Sequence, residues 1–156
     1  MNERMKSRFF IVAVMVCALC FGASAATRND HEKDREAVKQ AALDYVEGIY
    51  EVNPSRIERS VHPKLAKLGF YRKSTDVPFG AGGNMTYERL LEVAKNYNKE
   101  GKLSKNAPKE VIIYEVLDQT ASAKVIAEWG IDYLHLAKFD GQWKIINILW
   151  QSPPAK

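Results

Sequence analysis

The sequence predicts an α+β fold: three N-terminal helices, then an antiparallel meander of four strands that packs against them, five if a short "FYRK" strand joins. Two observations carry this. Up to about Asn98 the apolar residues recur at helical spacing, whereas after Pro108 they gather in runs rich in β-branched and aromatic residues. Those runs are separated by connections so short that neighbouring strands must be antiparallel.

The chain begins with an address. Arg4, Lys6 and Arg8 precede an apolar run from Phe9 to Phe21, and Ala23-Ser24-Ala25 fits a small-residue cleavage site. This is the three-part pattern of a secretory signal peptide over residues 1–25. The run is 13 residues, short of the roughly 20 needed to span a bilayer, so no stable membrane anchor is expected after cleavage near Ala26. Leu19 before Cys20 and Val16 before Cys17 do not suit lipoprotein processing. The expected compartment is the bacterial periplasm or exterior; Asn84-Met85-Thr86 is a glycosylation acceptor only in a eukaryotic route.

Cleavage removes both cysteines, Cys17 and Cys20, and leaves 131 residues. The mature chain then has no disulfide, no thiol nucleophile and no thiolate metal site, and one ordinary core must hold it together. Loss of three bases and one acid lowers the net charge from +4 to +2, which gives no support to nucleic-acid binding. The expected organisation is a single domain over 26–152 with a short tail, 153–156.

The first helix is read from Val38, Ala41, Ala42, Tyr45, Val46, Ile49 and Tyr50, one face at spacings of three and four. Asn53-Pro54 breaks it, and Pro54 opens a second short helix through Val61 that His62-Pro63 ends. Leu65–Lys73 is ambiguous. "DVPFGAGGN" is a loop by composition, expected as a flexible rim or lid; it lacks the Lys-Ser/Thr of a phosphate loop. Thr86 caps a third helix through about Asn98, burying Leu90, Leu91, Val93, Ala94 and Tyr97.

The strands are read as Glu110–Leu117, Ala121–Trp129, Ile131–Phe139 and Gln142–Trp150. Asp140-Gly141 is a strong hairpin signal because both residues tolerate positive φ. As a two-residue loop it sets Leu134 opposite Asn147 and Asp132 opposite Leu149. Trp129-Gly130 as a loop sets Val125 beside Leu134, and Asp118-Gln119 sets Tyr114 beside Ala123. Alternation then gathers Ile112, Tyr114, Val116, Ala123, Val125, Leu134, Leu136, Trp143, Ile145 and Leu149 on the helix-covered face, with Asp132, Asn147 and the Tyr114 hydroxyl as its central polar groups. A one-residue slip would reverse any strand.

The stretches "DYVEGIYEVNPSRIERSVHP" and "DYLHLAKFDGQWKIINILW", within this order of helices and strands, resemble the nuclear transport factor 2-like superfamily with its cystatin-like cone. The nearest resemblance is to the lumazine-binding, SnoaL-like branch, over nearly the whole mature chain. The resemblance implies a curved sheet with the helices in its concave face, a deep cone-shaped pocket, and dimers formed through the sheet. It also implies two functional classes. One is a small-molecule-binding domain whose apolar pocket holds a small hydrophobic or ring-shaped ligand. The other is a cofactor-free isomerase, dehydratase or cyclase. Neither needs a cofactor.

The candidate ligand-contacting residues are Asn147, Asp132, Tyr114, His62 and Trp143. Asp132 in an apolar surround suits a general base, or else it holds a loop at its strand's start. His62 suits acid–base work near neutral pH, or else it faces the last carbonyls of a helix. Asn147 and Tyr114 are candidate donors to a developing oxyanion. Trp129, Trp143 and Tyr114 are read as core or as ligand stackers. His31 and His135 are read as exposed, and the histidine spacing offers no metal site. The other sheet face mixes charges with Val111, Ile113, Ile126, Tyr133, Ile146 and Ile148, which predicts a symmetric homodimer through that face.

Overall fold

The computed structural model describes residues 30–74 and 76–153; the expected signal peptide, residues 1–25, and most of the expected tail lie outside the described residues. Asp34 onward forms one compact unit. Among the described residues no helix is long and apolar enough to cross a membrane.

Helix α1 covers 30–50, and its predicted face, Val38 through Tyr50, is buried as read. The helix closes on a hydrogen bond from Asn53 N to Gly48 O, with Val52 in the left-handed region at φ 57°. That conformation is awkward for a β-branched residue. Pro54 then opens α2, Pro54–Ser60. Helix α3, Tyr87–Asn96, starts where Thr86 Oγ1 accepts from Arg89 N at 3.3 Å.

Six strands form one sheet: β1 Val61–Tyr71, β2 Gly80–Ala81, β3 Lys109–Val116, β4 Thr120–Ala127, β5 Gly130–Phe139 and β6 Gln142–Gln151. Their order is β2-β1-β6-β5-β4-β3. The meander β3 to β6 is as expected, but the sheet is mixed, because β1 lies parallel to β6. The ambiguous stretch after α2 is thus an eleven-residue interior strand, and the short "FYRK" edge strand is corrected accordingly. Pro63 and Gly69 hid it. Pro63 falls in the irregular stretch between Val61 and Ala66, where its missing N–H breaks no ladder. The glycine-rich segment supplies β2, paired with Phe70 and Tyr71, and so belongs to the sheet edge.

The hairpin at Asp140-Gly141 forms as read, with φ of 49° and 78°. Phe139 pairs with Gln142, Lys138 with Trp143, and Leu136 with Ile145. Beyond that point a β-bulge intervenes, and His135, not Leu134, pairs with Asn147. One extra residue reverses the remainder of the strand. Ile148 is therefore fully buried and Leu149 is exposed, the opposite of the expectation. A second bulge, between Ile113 and Glu115, leaves Tyr114 exposed and brings Val111 and Ile113 against the core. The β4–β5 loop is Glu128-Trp129, which moves the pairing by two residues, so Val125 meets Asp132 and both still face inward.

Candidate functional site

The inner face of the sheet, α1 and α3 line a partly open cavity of about 140 Å³. Tyr45 and Ile49 come to it from α1, Leu90 and Val93 from α3, and Tyr97 from the end of α3. Met85, Trp129 and Trp150 complete a wall that is almost wholly apolar. Met85 is drawn in by a bond from its N to Lys67 O at 2.9 Å. Trp150 owes its place to Gly69: a Cβ there would overlap both the indole and the Trp150 carbonyl.

One charged side chain reaches this wall. Lys67 follows Leu65 by two residues on the inward face of β1, and its Nζ is buried. Nζ donates to Tyr45 Oη at 2.7 Å and to Asp132 Oδ1 at 3.2 Å. Tyr45 Oη in turn donates to Asp132 Oδ2 at 3.1 Å, and Trp129 Nε1 donates to the same oxygen at 2.8 Å. Nζ also sits over the rings of Tyr45, at 5.3 Å, and Trp150, at 5.6 Å. Trp129 is braced edge-on by Tyr45, Tyr50 and Tyr97.

The electrostatics follow from burial. Desolvation pushes the Lys67 ammonium below the usual lysine range, against the opposing pull of Asp132. Burial, and then the charge of Asp132, raises the Tyr45 phenol well above its ordinary value, so it remains a hydroxyl. An ammonium has three N–H donors. Two are taken by Tyr45 and Asp132; among the described residues the third has no protein acceptor, and Lys67 lines the cavity.

Of the residues singled out from sequence, Asp132 belongs to this cluster. It is fully buried, and by holding Trp129 it also holds the β4–β5 loop. The others lie elsewhere. Asn147 is on the outer face, where Oδ1 lies 3.0 Å from His135 Nδ1 and Nδ2 donates to Ala66 O at 3.0 Å. The bulge put it there, which corrects the inward placement and its proximity to Asp132. Tyr114 is exposed for the same kind of reason. His62 is in a strand, not at a helix end; it stacks on Phe139 at 4.4 Å and accepts from Lys64 N at 3.1 Å. Trp143 is core, its Nε1 donating to Asp34 at 3.0 Å. His135 is exposed as read. Sequence reasoning missed Lys67, whose signal was a lone charge between Leu65 and Gly69 at period two. It also missed Tyr45 as a site residue, having placed it only in the core.

With this geometry in place, comparison with known proteins is informative. A family model described as "Putative lumazine-binding" matches residues 33–151. The chain belongs to this family. No curated protein matches it. Among solved structures it is similar to an NTF2-like protein of unknown function from Shewanella baltica, with 16% identity, a TM-score of 0.55, and coverage of 80% of this chain and 98% of that one. It is also similar to an NTF2-like protein with a cystatin-like fold from Novosphingobium aromaticivorans, at 9% identity and a TM-score of 0.57, covering 86% and 91%. These likenesses establish the fold: three helices on a curved, mixed, six-stranded sheet.

Proposed function

We propose that this domain binds a small, neutral, ring-shaped molecule that offers a hydrogen-bond acceptor to Lys67. The observation that carries the reading is that Lys67 lines an otherwise apolar cavity while its ammonium has two protein acceptors for three N–H groups among the described residues. An apolar cavity of about 150 Å³ admits benzene, so the space here suits one ring. Charge restricts the class further. Lys67 and Asp132 already balance, and an added anion would sit desolvated without a counter-charge of its own. A cation would meet the ammonium that already occupies the aromatic faces. A ring carbonyl fits both limits. The family description fits the same chemistry, because lumazine is a neutral ring system with carbonyl acceptors; as a two-ring compound it needs more room than one ring.

This geometry supports binding rather than abstraction of a ligand proton by Asp132, whose oxygens already accept from Tyr45, Lys67 and Trp129. A thermal-shift series tests the reading, since a ligand of the folded state raises its melting temperature. Benzamide and uracil should raise it, and lumazine to the extent that the cavity widens. Benzoate and benzylammonium should do less. A larger rise with benzoate than with benzamide would overturn the neutral-ligand assignment.

Two further features belong to the proposal. The charged start, short apolar run and Ala23-Ser24-Ala25 support export, with the domain acting in the periplasm or outside the cell. The outer sheet face supports a symmetric homodimer. Leu68 neighbours Leu149, which neighbours Tyr133, and each is nearly half exposed, with Phe70 close by. This strip replaces the expected one, because Ile148 is buried. Sedimentation should show a dimer at micromolar concentration, and Leu149→Lys should dissociate it; a wild-type monomer would refute this part.

A further inference from the structure

Beyond a hydrogen bond to an acceptor, the partners of Lys67 are those that amine chemistry requires. The side chain lines an apolar cavity, a hydroxyl lies 2.7 Å from its nitrogen, and a carboxylate lies 3.2 Å from it. We infer that Lys67 Nζ is a covalent site that condenses reversibly with a small aldehyde or ketone held in the cavity. The inference rests on the binding reading above, since the carbonyl compound must first occupy that space.

The step balances without an oxidant or reductant. Asp132 accepts one proton from the ammonium, which turns a buried ion pair into an amine and a carboxylic acid with no change in net charge. Burial disfavours the Lys67 ammonium, against the opposing pull of Asp132. The amine nitrogen attacks the carbonyl carbon and the C–O π bond breaks. Proton transfer from nitrogen to oxygen gives a carbinolamine, and Tyr45 Oη is placed to pass that proton. The C–O bond then breaks, oxygen leaves as water with the two protons of the neutral amine, and the C=N bond forms. Among the described residues Lys67 is the one buried lysine. The other described lysines are partly or fully exposed, so water competes there for the carbonyl.

The test treats the mature protein with benzaldehyde and cyanoborohydride at neutral pH and maps adducts by peptide mass spectrometry. The inference requires one benzyl adduct on Lys67, formed about tenfold or more faster than on any exposed lysine. Lys67→Arg should abolish that adduct. Benzamide, which has the ring and acceptor but forms no imine, is titrated in parallel by calorimetry. If benzamide binds and Lys67 is labelled no faster than exposed lysines, the covalent inference is overturned and the binding reading stands. If neither binding nor preferential labelling occurs, both fall. Preferential labelling of Lys67 in the wild type supports the inference without reliance on how the variant folds.

Discussion

The molecule holds two clusters of opposite charge that do different things. Between α1 and α2, Arg56 pairs with Asp44, Glu47 and Glu51, while Arg59 grips Asp44 through Nε at 2.6 Å. Arg59 and Glu51 are more than half and half exposed, respectively, so water reaches this cluster, and Arg56, Asp44 and Glu47 each have more than one partner of opposite charge. The second cluster, Lys67 with Asp132, is almost sealed, with side-chain exposures of 6% and 0%. It has few substitutes, and its lysine, with two protein acceptors for three N–H groups among the described residues, lines a cavity. The first cluster fastens helices. The second is costly to build and makes sense as a site, since buried ion pairs contribute little net stability by themselves.

The largest expected difference comes from breaking each cluster singly. Asp132→Leu strands the Lys67 ammonium and should destabilise the fold by about 3–5 kcal/mol. Adding Lys67→Met to it should recover most of that loss, as urea titrations would reveal. Asp44→Ala should cost only about 1–2 kcal/mol, because Arg56 retains Glu47 and Glu51. Equal losses from the two single variants would erase the distinction.

The two clusters should also separate by pH. Despite burial, hydrogen bonds from Arg59 and Gln40 hold the Asp44 carboxyl below its ordinary value. Its contribution is therefore present above the unfolded value near 3.8 and is lost as pH falls through the lower folded value. Asp44→Asn should flatten this acid limb. Lys67 gives a slope of the same sign on the alkaline side. Its folded value lies below 10.5, so the unfolded chain binds more protons between the two, and its term makes stability rise with pH in that window. Above pH 10 the raised Tyr45 phenol reverses the trend, because only the unfolded tyrosine ionises. Lys67→Met should remove the rising segment from stability measured on the approach to pH 10.5.

How far the sequence foretold this arrangement varies along single strands. From Phe139 to Ile145 the Asp140-Gly141 turn fixed the register, because turn chemistry is local. The bulge beyond Ile145 has no comparable local signature, and it moved Asn147 to the outer face. Asp132 survived an error in its loop only because the pairing moved by two residues, which preserves the face. The core face of α1 was legible from spacing alone, and Tyr45 was found there as packing. Its role with Lys67 depends on a parallel pairing of β1 with β6, a contact between distant segments that no short pattern announces.

The smallest expected effect lies between the two helices that the open cluster fastens. Val52 holds a left-handed conformation at φ 57°, which costs a β-branched residue about 1–2 kcal/mol. Val52→Gly should stabilise the fold by about 0.5–1 kcal/mol after the glycine's greater unfolded-state freedom is subtracted. Ligand binding should not change, since Val52 is not among the residues that line the cavity.

The central claim is that Lys67 offers its free N–H to a neutral ring, and affinity for two ligands of one shape tests it most directly. Benzamide and α-methylstyrene match in outline, but only benzamide carries an acceptor. A hydrogen bond to a charged donor contributes about 1.5–3 kcal/mol, so calorimetry on the wild type should give benzamide an advantage of about tenfold or more. Lys67→Met should remove that preference while leaving α-methylstyrene binding within about twofold. Equal affinities in the wild type, or an advantage that survives Lys67→Met, would contradict the account.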